Sequence, residues 1–306
     1  MRNTFIKRLS ELAGRNPRIF LITGDLGFGV LEEFEKNFPR QYLNAGVAEQ
    51  NMTGLAAGLA LEGRIVFTYS IANFPILRCL EQLRNDVCYH QANVKVVSIG
   101  GGFSYGALGF SHHATEDLAI LRSLPEMRVV SPGDLWEATE ATEALANLEG
   151  PAYLRLDKSY APSTKRPGEV FQLGKIRTLR PGGDLTLMAT GGIVGTTLRA
   201  AERLDEKGIR CRVISVHTIK PLDQESILRA ARETGGIVTV EEHSILGGLG
   251  GAVSECLMDG RVFPRRFLRI GLPDCFSSIV GSQQYLRRRY GMDEGMIIEQ
   301  VMELLK

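Results

Sequence analysis

Short apolar runs rich in β-branched residues recur at 18–23, 65–69, 94–99 and 151–156, and again at 185–189, 211–215, 236–240 and 267–270. They lack the in–out alternation of a half-solvated strand, so each reads as a strand buried on both faces, the habit of a parallel sheet. Amphipathic or small-residue segments of helical length separate them, and such alternation implies parallel sheets sandwiched between helices. The fold class expected is α/β, as two three-layer α/β/α domains with mostly parallel sheets. The rhythm breaks once, where Pro162, Ser163, Thr164, Pro167 and Gly168 crowd together. That composition predicts a linker over 161–175, between a domain at 1–160 and a smaller one at 176–306.

A length of 306 residues suits two such domains. A formal net charge of +1 gives no electrostatic case for nucleic acid or an anionic membrane as a partner. Five cysteines, odd in number and without a Cys-x-x-Cys pair, fit neither a disulfide framework nor a zinc site. No run approaches a membrane span, and Phe5, Ile6, Leu9, Leu12 and Ala13 mark an amphipathic first helix rather than a secretory leader. A cytoplasmic location is expected.

Among the segments that could carry chemistry, 44–60 stands out, since Glu49 is the one acidic or basic residue between Arg40 and Glu62. A carboxylate at the start of a buried helix either stabilises its own first turn or serves as a proton donor or acceptor. Gly54, Ala57 and Gly58 follow at helical spacing and permit close approach of another backbone or a flat ligand. Asp25 lies in a Gly-rich loop at a strand's carboxyl end, where open α/β sheets hold ligands, although a turn role also suits it. Tyr69 and Phe74 flank the turn after the next strand, and Pro75 is placed to open a helix running past Arg78 and Leu83 toward Tyr89.

The glycine-rich loop from Gly100 ends at His112 and His113. Adjacent histidines diverge on any regular element, so proton transfer or helix capping suits them better than a metal. Asp134, with Glu137 three residues on, has the spacing of a helix N-cap. Lys158 is a solvated lysine or a point contact for a phosphate. Glu241, Glu242 and His243 form the one polar cluster at a strand end in the second domain.

The run Gly46-Val47-Ala48-Glu49-Gln50, with its Gly/Ala-rich helix, resembles the pyrimidine-binding domain of transketolases and deoxyxylulose phosphate synthases. Ser111-His112, followed by Thr115-Glu116-Asp117-Leu118, resembles the same family's histidine segment, and Glu241-Glu242-His243 resembles part of its C-terminal domain. The resemblance implies that Glu49 activates thiamine diphosphate at ring nitrogen N1′. Phe74 would stack on the aminopyrimidine ring, with Tyr69 as second choice and Asp25 as a further cofactor contact. His112 would reach the substrate's reacting oxygens, with His113 beside it and Lys158 near a phosphate.

Two features depart from the family. Leu108 stands where transketolases carry an aspartate that reads a sugar hydroxyl. No Gly-Asp-Gly segment, the family's diphosphate and Mg²⁺ grip, occurs in the chain. The resemblance therefore implies the C-terminal subunit of a split transketolase-like enzyme transferring a two-carbon ketol unit between sugar substrates. A separate N-terminal subunit would bind the diphosphate and Mg²⁺, and the pyrimidine-binding and C-terminal domains would make a homodimer contact. The alternatives are a deoxyxylulose phosphate synthase-like enzyme, the beta chain of a 2-oxo acid dehydrogenase, and a non-catalytic assembly subunit.

Overall fold

The computed structural model describes residues 1–158 and 161–306; Tyr160, the expected end of the first domain, lies outside them. The described residues form β1 (Ile19–Thr23), β2 (Tyr42–Asn44), β3 (Ile65–Ile71), β4 (Val94–Ile99), β5 (Arg128–Val130) and β6 (Ala152–Leu156). Then follow β7 (Arg177–Arg180), β8 (Leu185–Thr190), β9 (Cys211–Ser215), β10 (Thr218–Lys220), β11 (Ile237–Ser244) and β12 (Phe267–Leu272). They assemble into a seven-stranded sheet, β10-β5-β6-β4-β3-β1-β2, and a five-stranded sheet, β12-β11-β8-β9-β7. Each sheet is parallel except at one edge, where β10 runs against β5 and β7 against β9. The fold is α/β, two mostly parallel sheets with flanking helices.

Period-2 alternation divides the first sheet's core between its two faces. Ile22, Val66 and Val96 point to the side covered by the helix Glu49–Leu61, which buries Met52, Ala56, Ala57 and Ala60 there. Leu21, Phe67, Tyr69 and Val97 point to the other side, covered by Phe5, Leu9 and Ala13 of the helix Arg2–Ala13. Among the described residues no helix is long and apolar enough to cross a membrane.

Two interlocks bind the halves of the chain. β10 belongs by sequence to the second half, yet it pairs with β5 of the first sheet (Thr218 opposite Val130). Just before it, His217 is fully buried. Its ring lies 4.4 Å from that of Phe171 in the expected linker, and its Nδ1 is 2.9 Å from the Thr218 hydroxyl. Burial pushes its pKa down from 6.5 to about 3.

The second interlock is Glu242. Its carboxylate accepts from the Phe103 amide (2.6 Å), from Gln283 Nε2 (3.0 Å) and from both Nε (2.7 Å) and Nη2 of Arg287. The glycine loop after β4 approaches so closely that a Cβ on Gly101 would fall 2.5 Å from Arg155 Nε, and one on Gly102 2.6 Å from Glu242 Cγ. Glu241, Glu242 and His243 are all buried inside β11, occupied by contacts within the chain.

Candidate active site

The strand order reverses at β1: its sequential neighbour β2 lies on one side, whereas β3 lies on the other. The crevice beyond the carboxyl ends of strands at such a switch point is where open α/β sheets hold ligands. The loops that leave β1, β2, β3 and β4 carry Asp25, Glu49, Phe74 and His112 respectively.

Glu49 opens its helix with its side chain 5% exposed. Gly24 backs it at the end of β1, where a Cβ would lie 3.9 Å from Glu49 Cγ. Glu49 Oε1 accepts a 2.7 Å hydrogen bond from Nη1 of Arg78. The Arg78 guanidinium carbon lies 3.9 Å from the ring centroid of Phe74, within cation–π range. The Phe74 ring meets His112 edge-on, with centroids 5.1 Å apart and planes at 65°. Glu49, Arg78, Phe74 and His112 thus form one continuous chain of contacts. His112 is half-buried, with Nδ1 3.1 Å from the Ser111 hydroxyl. Burial first, and then the Arg78 charge, hold its pKa below the ordinary histidine value.

Asp25 is exposed at φ 58° and is tied to Asn44, whose Nδ2 donates to its carboxylate at 3.0 Å. The Asn44 side-chain oxygen accepts from the amides of Asp25 and Gly46, both at 3.0 Å, so one asparagine pins the β1 and β2 loops together. Lys158 Nζ sits 4.7 Å over the Tyr105 ring, and Tyr105 in turn lies 6.4 Å from His112. Lys158 is therefore at the histidine's end of the pocket. Leu108 and Phe110, on the same loop as His112, are exposed.

Two expectations are corrected. Tyr69 is 3% exposed and stacks on Phe5 at 6.3 Å, on the sheet face away from the Glu49 helix. Enclosed there, it presents no free ring face to a ligand. His113 is likewise buried, edge-on to Phe103 at 5.1 Å with Nε2 3.3 Å from the Gly106 carbonyl, so it supports the loop and is closed to substrate.

Arg78 is the site residue that sequence reasoning placed only as a helix member. The helix expected through it is interrupted: one turn covers Phe74–Leu77, the next begins at Leu80, and a widened turn spans Leu83–Cys88. There the Tyr89 amide reaches back five residues to the Arg84 carbonyl at 3.1 Å. Such interruptions are frequent at functional sites.

Residues 1–163 match the family model for the transketolase pyrimidine binding domain, and residues 174–297 match that for the transketolase C-terminal domain. The chain is 40% identical over 307 aligned residues to a subunit of the apulose-4-phosphate transketolase of Phocaeicola vulgatus, covering 100% of this chain and 97% of that one. It is 38% identical to the 6-deoxy-6-sulfo-D-fructose transketolase subunit SqwH of Clostridium sp. strain MSTE9, over 99% of this chain and 94% of that one. Among solved structures, a split-gene transketolase in an inactive β4 tetramer superposes with a TM-score of 0.89 at 36% identity, covering 99% and 97% of the two chains. Matched along almost its entire length by these two domains and these subunits, the chain belongs to the transketolase family.

Proposed function

We propose that this chain is the C-terminal subunit of a split, thiamine diphosphate-dependent transketolase that moves a two-carbon ketol unit between sugar or sugar phosphate substrates. The observation that carries this reading is the meeting of Glu49 and Phe74 at one gap beyond the switch point, a buried carboxylate and an aromatic ring face bridged by one flat group. The gap already takes a planar guanidinium, so its shape suits an aminopyrimidine, whose N1′ accepts a hydrogen bond once Glu49 carries the proton. When bound, thiamine diphosphate supplies the chemistry that breaks and makes the carbon–carbon bond.

The residues of this chain bind, orient and handle protons. Glu49 holds a proton at pyrimidine N1′, and Phe74 orients the ring by stacking. His112, neutral near pH 7 because its pKa is depressed, takes and returns a proton at the substrate's reacting oxygen. Lys158 offers a point charge to a substrate phosphate. Asp25, tied to Asn44, braces the loop beside Glu49.

The diphosphate and its Mg²⁺ belong to a separate N-terminal subunit in this proposal. Among the described residues no group of three or more His, Cys, Asp or Glu side chains is arranged to hold a metal ion. Partner contacts are supported by exposed Val47, Leu55 and Leu77 around the site, and by Gly54 and Gly58, where a Cβ would meet nothing within 4 Å. The free cysteine thiols, Cys275 alone of the five being exposed, suit the cytoplasm.

Calorimetric titration with thiamine diphosphate and Mg²⁺, of this chain alone and paired with a diphosphate-binding subunit, tests the reading. Binding that requires both chains, followed by ketol transfer rather than 2-oxo acid decarboxylation, is expected. Absence of cofactor binding by the pair would sink it.

A further inference from the structure

Arg78 is the one charged group at the pocket's centre that the proposed chemistry leaves unused. Its guanidinium fills the space between Glu49 and Phe74, with Nη1 2.7 Å from the carboxylate and its carbon 3.9 Å from the ring centroid. Under the proposed function, which this inference rests on, those are the two anchors a pyrimidine ring needs: a carboxylate to bond and a ring face to stack on. Non-bonded carbons settle at about 3.5–4.0 Å, so the space over that face of Phe74 admits one flat group at a time. A guanidinium is planar and carries only donors, which lets it satisfy the carboxylate and the ring face together.

The other end of the contact is loose. The Arg78 side chain is 47% exposed where that of Glu49 is 5% exposed, and it stands at the interruption between two short helical turns. Only the arginine end of the pair reaches solvent, and that end is open to water and to screening by salt. The arginine can therefore rotate out into solvent while Glu49 and Phe74, on the scaffold, stay in place. Its departure also removes the charge that, after burial, depresses the His112 pKa.

We infer that Arg78 is a self-supplied plug: in the cofactor-free chain it engages Glu49 and covers Phe74, and it swings outward before the aminopyrimidine can enter. Cofactor entry is then a competition between two flat groups for one seat. The site stays closed until a competent ligand displaces the arginine.

The test is calorimetric titration of thiamine diphosphate with Mg²⁺ into the full chain paired with its diphosphate-binding subunit, for wild type, Arg78→Met and Arg78→Lys. Removal of the plug is expected to tighten binding by about fivefold in Arg78→Met, about 1 kcal/mol at 1.4 kcal/mol per tenfold. Arg78→Lys, which keeps the charge but loses the flat stack, should fall between. Unchanged or weaker binding by Arg78→Met, with wild type binding normally, overturns the plug and leaves the proposed function standing. Failure of the wild-type pair to bind at all overturns both.

Discussion

Acidification should weaken this fold through His217 among its buried histidines. The ring is fully buried against Phe171, and among the described residues its Nε2 has no hydrogen-bond partner. In the unfolded chain it protonates near 6.5, whereas in the folded chain it stays neutral down to about 3. The folded state therefore binds fewer protons than the unfolded state between those values. The contribution is fully present above the unfolded pKa and is lost as pH falls through the window. At 1.36 kcal/mol per pH unit across the part of the window traversed, lowering pH from 7 to 5 removes about 2 kcal/mol. A folded pKa anywhere below 4 gives the same figure, because pH 5 still lies above it.

The assay is urea unfolding at both pH values for wild type and His217→Phe, a variant that keeps an aromatic against Phe171. Carboxylates titrate alike in the two proteins, so the difference in pH dependence isolates the histidine. The wild type should lose about 2 kcal/mol more than the variant between pH 7 and 5. Equal losses would show that His217 is not held neutral, and the packing of β10 and the linker around it would need another explanation.

Glu242→Ala should cost about 3 kcal/mol, the low end for breaking a buried ion pair, because Asp157 remains 3.5 Å from Arg287. Thermal unfolding checks this, and adding Arg287→Met should restore part of the loss. The NMR titration midpoint of His112 should lie below 6.5 in the free chain and rise in Arg78→Met, as one of its two depressing causes is removed. Phe74→Ala should weaken cofactor binding to the subunit pair by about 1 kcal/mol, or roughly fivefold, the typical worth of an aromatic contact. Tyr69→Phe should leave that binding unchanged, since the ring is enclosed against Phe5.

Elements whose residues are buried on both faces were plain in the sequence. β4 carries an apolar run with every residue buried, even Lys95, whose ammonium donates to the Leu148 and Gly150 carbonyls at 2.7 and 2.5 Å. Asp134 caps its helix as its spacing from Glu137 implied, accepting from the Glu137 amide at 2.7 Å. β7 and β10 escaped notice because they are short edge strands: β7 is largely unburied, and β10 is three residues long and pairs across the chain with β5. Neither has a local period to read.

The motifs singled out Glu49, Phe74 and His112, and the structure joins their side chains through Arg78. The burial of Tyr69 could have been read, because it lies two residues beyond Phe67 and so shares that residue's face of β3. The side chain of His113 turns into the core beside Phe103 by way of an irregular loop, which no periodicity describes. Arg78 reaches Glu49 across 29 residues of chain and a broken helix, so its role became visible only in three dimensions.

The most direct measurement is turnover of Glu49→Gln, paired with the diphosphate-binding subunit and saturated with thiamine diphosphate and Mg²⁺. Glutamine keeps the size of the side chain but cannot hold the proton at N1′. The variant should fold and assemble, with a kcat for ketol transfer that falls by at least about a hundredfold, the scale of general acid–base catalysis. A kcat close to that of the wild type would contradict that role for Glu49.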